Sequence, residues 1–426
     1  MAAAGAVALV AVLGAACSST NSTSSSTTSA SGSSGSKIPA SAFSDRTGLT
    51  SSSVTVANVS THFGGLFTGA AVGTQAYADY VNSTGGVNGR KIIVNAGDDG
   101  YNNGANNKAL TQAALTSAFS LVGSFSLNDA YGGQVLAANP GMPDVSVTLD
   151  PTTNSLPNVF SPVPLGGGWE TGPLLYFQQK FPGETKAVGS LVANEPTAID
   201  AWNGEKAVME SLGYNIIYDE QFPISQTDFT QNVIAMKNAG VKMLFIEQMP
   251  ENYASAVIKA LDQQDFHPQV IFGASTYSSS LIAASGGAAA TDGAYLEQNA
   301  SLYLGEDSST IPSVATFLKW VQVAQPGFKP DLFTLYGWVS AELFTQALQN
   351  AGTNPTRGSL LTALSKITTF NGQNIITTTN PAAKTISNCY LIAAIANGQF
   401  QRVDDPPVNG PTNGYRCNGE YLIPKA

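Results

Sequence analysis

From residue 54 onwards, short apolar runs alternate with longer stretches in which apolar positions recur at helical spacing. Residues 54–59, 91–96, 120–123 and 144–147 read as strands. Between them, residues 69–82, 106–118 and 128–138 read as helices, with Ala70, Tyr77, Tyr80 and Val81 as core contacts of the first. A Pro- and Gly-rich stretch, residues 162–168, interrupts this rhythm, which then restarts. Helices over 169–180, 198–212, 229–238 and 253–263 alternate with strands over 187–193, 215–218, 242–247 and 269–273. Such alternation predicts right-handed βαβ units and parallel sheets covered by helices.

Two blocks split near residue 165 predict an α/β chain of two lobes. Residues 301–370 read as mostly helical (314–323, 332–351, 357–366), and the tail from about 374 as strand-rich. Helices followed by strands do not make a third α/β domain. They more naturally complete both lobes, so the chain would cross between lobes near 163–168, 298–304 and 371–374. The resulting division is 51–164 and 301–372 for lobe one, and 165–300 and 373–426 for lobe two.

Residues 2–16 form an unbroken run of Ala, Gly, Val and Leu, and residues 18–36 are almost entirely Ser, Thr and Gly. The apolar run is shorter than the roughly 18–20 residues needed to span a bilayer and reads as a secretory signal. The Ser/Thr tract buries too little apolar surface to offset its ordering entropy. We therefore assign residues 1–17 to a signal, 18–50 to a flexible tether, and the onset of order to about Val54. Cys17 after Leu13-Gly14-Ala15-Ala16 resembles the lipobox of bacterial lipoproteins, with Leu four residues before the Cys instead of three. The resemblance implies cleavage before Cys17 and lipidation of its thiol. The protein would then be held on the outer face of the cell membrane by lipid alone, or be periplasmic or secreted.

The net charge of −10 and the absence of Lys/Arg clusters argue against nucleic acid as a partner. Charged residues are 11% of the chain, so Gly, Asn, Ser and Thr carry much of the surface. Of three cysteines, Cys389 and Cys417 remain if Cys17 is lipidated; in an oxidising compartment they are expected to form a disulfide, the alternative being two buried thiols. Two histidines, His62 and His267, lie far from these cysteines, and no metal or cofactor is expected. No nucleophile elbow, H-E-x-x-H, P-loop or dinucleotide fingerprint occurs. Asp98-Asp99 after a strand is a carboxylate pair that either caps a turn or, with His62, serves a hydrolase.

Residues 80–92, Tyr-Val-Asn-Ser-Thr-Gly-Gly-Val-Asn-Gly-Arg-Lys-Ile, followed by Asp98-Asp99, resemble the first lobe of the type I periplasmic binding proteins, the branched-chain amino-acid receptor family. Leu121-Val122-Gly123-Ser124-Phe125-Ser126, Gly172-Pro173 and residues 229–245 extend the resemblance from about residue 54 to 400. It implies two Rossmann-like lobes with parallel sheets joined by a three-strand hinge. It also implies a monomeric, non-catalytic receptor that captures a small polar molecule, an amino acid or related amide or amine, for an ABC-transporter permease. A membrane signalling partner in place of a permease, a secreted hydrolase and a cell-wall adhesion module are the other readings.

Ligands of open α/β sheets sit beyond the carboxyl ends of the strands. In lobe one the candidate ligand residues are Ser60, His62, Phe63, Phe125, Ser126, Leu127, Asn128, Thr148 and Asp150. In lobe two they are Glu195, Asp200, Trp202, Glu247, Met249, Ser275 and Tyr277. Residues 126–128 open a helix whose free N–H groups suit a carboxylate, and Phe63, Trp202 and Tyr277 are candidate apolar walls. Aligned with the amino-acid receptors, this chain has Leu127 at the family's carboxylate-binding Ser, with Ser126 beside it. Asp150 stands at a Thr, and Ser275 at the ammonium-binding Glu. These loops contain acids and no Lys or Arg, which favours a neutral, zwitterionic or cationic ligand.

Overall fold

The computed structural model describes residues 38–403 and 410–423. Cys17, the signal and the Ser/Thr tract lie outside the described residues. Lobe one is a four-stranded sheet of order β2-β1-β3-β4, built from β1 (Ser53–Ser60), β2 (Lys91–Asp98), β3 (Ser120–Val122) and β4 (Asp144–Val145). All its pairings are parallel. The turn into β2 contains the Gly-Gly-Val-Asn-Gly-Arg motif. Gly86 has φ +75°, and a Cβ there would lie 2.0 Å from the Arg90 carbonyl oxygen, so only glycine fits. Asn58, buried in β1, donates to Thr74 Oγ1 (3.1 Å) and to the carbonyls of Val122 (3.1 Å) and Gly123 (2.7 Å). One side chain thus ties strand, helix and loop together.

The helix Thr68–Ser83 covers this sheet, and the helices Pro312–Ala324 and Leu332–Asn350 pack on it from late in the chain. The crossing with Leu332–Asn350 is close. A Cβ at Gly73 would stand 1.9 Å from the Thr334 carbonyl oxygen, and one at Gly337 2.0 Å from that of Ala70. Leu332–Asn350 starts on a reciprocal cap: Asp331 Oδ1 accepts from the Thr334 N–H at 2.8 Å, and Thr334 Oγ1 accepts from the Asp331 N–H at 3.1 Å.

Lobe two is a seven-stranded sheet. Its strands are β6 (Val188–Ala193), β7 (Ile216–Phe222), β8 (Met243–Ile246), β9 (Gln269–Phe272), β10 (Tyr295–Gln298), β11 (Leu391–Ala396) and β12 (Gln399–Arg402), in the order β12-β11-β10-β9-β8-β6-β7. The run from β6 to β10 is parallel, and β11 and β12 add antiparallel. A short ribbon pairs β5 (Trp169–Glu170) with β13 (Tyr421–Leu422). Helices Thr171–Lys180 and Pro196–Ser211 bury Leu174, Phe177, Val208 and Met209 on one face. Thr230–Ala239 and Glu251–Gln263 bury Val233, Met236, Val257 and Leu261 on the other.

Three segments connect the lobes and are bonded to one another. Thr379 Oγ1 donates to the Pro162 carbonyl (2.8 Å), Ser301 N to the Ile375 carbonyl (2.9 Å) and Thr377 N to the Asn299 carbonyl (2.9 Å). Cys389 and Cys417 form a disulfide, beside paired backbone bonds between Tyr390 and Arg416 at 2.8 Å.

The structure departs from the sequence reading in three places. Order starts upstream of Val54: Ala40–Phe43 forms a short 3₁₀ turn with Ala42 buried, and Asp45 pairs with Arg357 at 2.8 Å. Arg357 also donates to the carbonyls of Leu115 (2.9 Å) and Phe119 (3.3 Å). A partner more than 300 positions away holds these residues, so no local pattern announces them. Trp169–Glu170 is ribbon strand, the helix starting at Thr171. Strand β10 was not foreseen, because its inward positions include the polar Glu297 and Gln298.

Candidate ligand-binding cleft

The strand ends of lobe one converge on Asp99, which is fully buried. Thr61 Oγ1 donates to its Oδ1 (2.8 Å), Asn107 Nδ2 to its Oδ2 (2.7 Å), and Ser126 Oγ to the same oxygen. The neighbouring Asp98 is exposed and accepts from the N–H groups of His62 and Gly100, both at 2.9 Å. These bonds hold the Asp98 carboxyl below its usual range. No hydrogen bond among the described residues links the His62 ring to Asp98 or Asp99. Asp99 is consumed by three donors, and His62 reaches Asp98 through its backbone, not its ring.

Ser60 donates to Asn58 Oδ1 (2.7 Å) and accepts from the Phe125 N–H (3.0 Å). Phe125 is buried against Phe67, with ring centroids 4.6 Å apart, and Phe333, 5.0 Å. Leu127 is half-buried, and its N–H donates to Thr61 Oγ1 (3.2 Å); the Asn128 N–H donates to Ser126 Oγ (2.8 Å). The two amides expected to hold a ligand carboxylate therefore already have internal acceptors. Asn128 Nδ2 donates to the Gly100 carbonyl at 2.9 Å. Thr148 is buried, its Oγ1 without a partner among the described residues. Asp150 caps the short helix Pro151–Ser155 through the Thr153 N–H (2.7 Å). Phe63 is 59% exposed and stacks on Tyr101 with centroids 5.3 Å apart.

Tyr101 makes a contact between the lobes at the strand-end loops: its hydroxyl donates to Glu195 Oε1. Burial, then this bond and the Glu195 charge, push the Tyr101 hydroxyl up to about 12. Tyr101 was absent from the candidates, although its place three residues after the end of a strand made it findable.

In lobe two, Asp200 is exposed on Pro196–Ser211. Trp202, on the same helix, is 3% exposed within the core, its indole N–H donating to Asp219 Oδ1 (2.8 Å). Tyr277 is buried and donates to Glu306 Oε2 (2.6 Å). Phe63 is thus the one exposed ring of the three candidate walls. Met249 is buried, and Ser275 Oγ donates to the carbonyls of Glu247 (2.5 Å) and Met249 (3.1 Å).

Glu247 belongs to a group of acids missed in the sequence. Glu205, from helix Pro196–Ser211, and Glu297, from β10, are buried with it, and Glu170 adds its charge. Burial and then their mutual repulsion push the carboxyls of Glu247 and Glu297 well above the usual range, and burial does the same to Glu205 and Glu170. Gln248 Nε2 donates to Glu205 Oε2 at 3.3 Å. Around the cleft, the strand-end loops present carboxylates from both lobes and no lysine or arginine.

Two α/β lobes joined by three linking segments, with strand-end loops that meet at Tyr101 and Glu195, have the architecture of a two-lobed binding protein. A family model for periplasmic binding proteins matches residues 55–399, and the chain belongs to this family, whose members bind substrates outside the cytoplasm. The Leu/Ile/Val-binding protein homolog 1 of Brucella suis is 24% identical over 286 residues, covering 66% of this chain and 73% of the relative. Among solved structures, a branched-chain amino acid ABC transporter protein from Thermus thermophilus with bound valine superposes with TM-score 0.68 at 16% identity, covering 83% of this chain and 96% of that one. The fatty acid ABC transporter substrate-binding protein from Thermomonospora curvata gives TM-score 0.66 at 16% identity, covering 89% and 94%. At such identities the structures speak for the fold alone. No helix among the described residues is long and apolar enough to cross a membrane.

Proposed function

We propose that this chain is the solute receptor of an ABC importer. It captures a small polar molecule, an amino acid or a related amide or amine, between its lobes and presents it to a membrane permease. The observation that carries this reading is the Tyr101–Glu195 contact across the mouth of a cleft whose loops hold carboxylates without lysine or arginine. A cationic or zwitterionic ligand offsets that charge, whereas an anion meets repulsion from both sides. The ligand contacts come from the candidate loop residues with Tyr101 added, and Phe63 closes the mouth. The occupied, closed state is favoured because only there do both lobes touch the ligand. Lipidation at Cys17, a monomeric shuttle and membrane attachment through lipid alone belong to the same reading.

A thermal-shift screen of the full chain against amino acids, amides, amines, aromatic acids, fatty acids and sugars tests it. A ligand at one hundred times its Kd stabilises by about 2.7 kcal/mol. A shift confined to amine-bearing compounds, lost in Glu195→Gln, supports the reading. Shifts with fatty or aromatic acids and none with amines reject the ligand class.

A further inference from the structure

The C-terminal extension reaches all three connections between the lobes. Residues 410–423 follow the last strand of the lobe-two sheet and are pinned to that lobe at two places. The Cys389–Cys417 disulfide ties the extension to the segment entering β11. The β5–β13 ribbon ties it to the start of helix Thr171–Lys180. Thr171 completes the ribbon: its N–H donates to the Glu420 carbonyl and its Oγ1 accepts from the Glu420 N–H, both at 2.8 Å.

From these anchors the extension meets each connection in turn. At the first, the Tyr421 hydroxyl accepts from the Gly168 N–H (2.9 Å) and donates to the Gly168 carbonyl (2.8 Å). One hydroxyl thus fixes both polar groups of a residue in the triplet Gly166-Gly167-Gly168, the softest backbone of that crossing. A Cβ on Gly168 would lie 1.8 Å from the Leu422 carbonyl oxygen, so the extension passes where only glycine leaves room. At the second, the Gly414 carbonyl accepts from Arg402 Nη1 (2.8 Å). Arg402 Nη2 donates to Asp307 Oδ2 (2.7 Å), and that oxygen accepts from the Leu302 N–H (2.7 Å). At the third, the buried Tyr415 donates its hydroxyl to the Asn374 carbonyl (3.1 Å). The disulfide and the ribbon alone would anchor a loose terminus. The three further contacts fall on the segments whose torsions must change when the lobes move. In the same arrangement Tyr101 of lobe one meets Glu195 of lobe two.

We propose that the C-terminal extension is a clasp on the hinge: it holds the three connections in the geometry in which the lobes touch, and so disfavours opening. Its consequence for ligand capture rests on the receptor reading, since apparent affinity falls with the fraction of binding-competent molecules. The clasp itself is tested without a ligand, by amide hydrogen exchange and small-angle X-ray scattering of the full chain. Tyr421→Phe keeps the ring and the disulfide. It should speed exchange about fivefold at 165–168 and also at 298–304 and 371–376, which Tyr421 does not touch. The double variant Cys389→Ser with Cys417→Ser should speed it about tenfold in all three connections and enlarge the radius of gyration, with β6, β8 and β9 as protected as in the wild type. Should the double variant fail to fold by circular dichroism, Tyr421→Phe decides. Faster exchange confined to 410–423 and 168–172 would show a loose tail and overturn the proposal. Equal acceleration in the strands of both lobes, no acceleration, or an unchanged radius of gyration in the folded double variant would overturn it too. A wild-type chain that no ligand stabilises, with these exchange changes present, would bear on the receptor reading alone.

Discussion

Two buried carboxylate sites, Asp99 in lobe one and the glutamate group in lobe two, are partnered in opposite ways. In lobe one, Asp99 is surrounded by donors from Thr61, Asn107 and Ser126, each on a different segment. In lobe two, Glu205, Glu247 and Glu297 are buried mainly with one another, and Gln248 is a long donor to Glu205. The first arrangement gives both carboxyl oxygens donors and ties together the loops that supply them. The second stabilises protonated side chains and becomes repulsive when they ionise. Burial alone does not decide what a carboxylate does; the polarity of its partners does.

The largest effect that separates the two sides is expected for Asp99→Ala. It removes the shared acceptor of three buried donors, of which Thr61 and Asn107 keep only longer contacts to Ser126 Oγ (3.3 and 3.2 Å), and should cost about 3 kcal/mol, read as a lower denaturant midpoint. Glu247→Gln, equally buried, should be neutral or stabilising above pH 7. Equal losses in both variants would erase the contrast.

Next in size is the pH dependence. The lobe-two acids have folded pKa values raised above those of the unfolded chain. Between the two values the folded state holds protons that the unfolded state has released, so stability falls as pH rises from about 5 through 8. For one carboxyl the slope approaches about 1.4 kcal/mol per pH unit. Thermal melts across that range should show the decline, and Glu247→Gln should make it shallower without abolishing it, because Asp129, Asp144 and Glu342 in lobe one are raised by burial as well. A flat wild-type profile would overturn the reading of the cluster as buried, protonated acids.

Smaller effects belong to the mouth of the cleft. Tyr101→Phe removes the hydroxyl that meets Glu195 and should weaken ligand binding about tenfold, or about 1.4 kcal/mol. Chemical stability should stay within about 0.5 kcal/mol, because the site is partly solvated. Calorimetric titration beside urea unfolding separates these readouts. Phe63→Ala should have the least consequence, a two- to fivefold loss of affinity (about 0.4–1 kcal/mol) with no measurable change in unfolding.

Much of the fold was legible before any coordinates. Strand and helix periods place β1 to β4 and β6 to β9 within a few residues of their observed limits, and the Gly-Gly-Val-Asn-Gly-Arg-Lys turn marked the family. The candidate cleft was legible as a set of loops, because strand ends follow from strands. Which side chains those loops turn outward was not. Trp202 and Tyr277 are aromatic residues near strand ends, as a binding wall would be, yet Asp219 and Glu306 give their polar atoms partners inside the protein. Glu205 and Glu297 looked like ordinary polar positions of a helix and an unassigned stretch. Only the sheet brings them beside Glu247.

The sequence by itself determined the elements, the two-block rhythm and the acidic character of the loops. These depend on side-chain periodicity and composition over ten or twenty neighbours. The tertiary structure decided the hold of Arg357 on Asp45, the donors around Asp99, the glutamate cluster and the Tyr101–Glu195 contact. Each joins positions tens to hundreds of residues apart. Their energies depend on distance and desolvation, which are properties of the packed chain and not of any window along it.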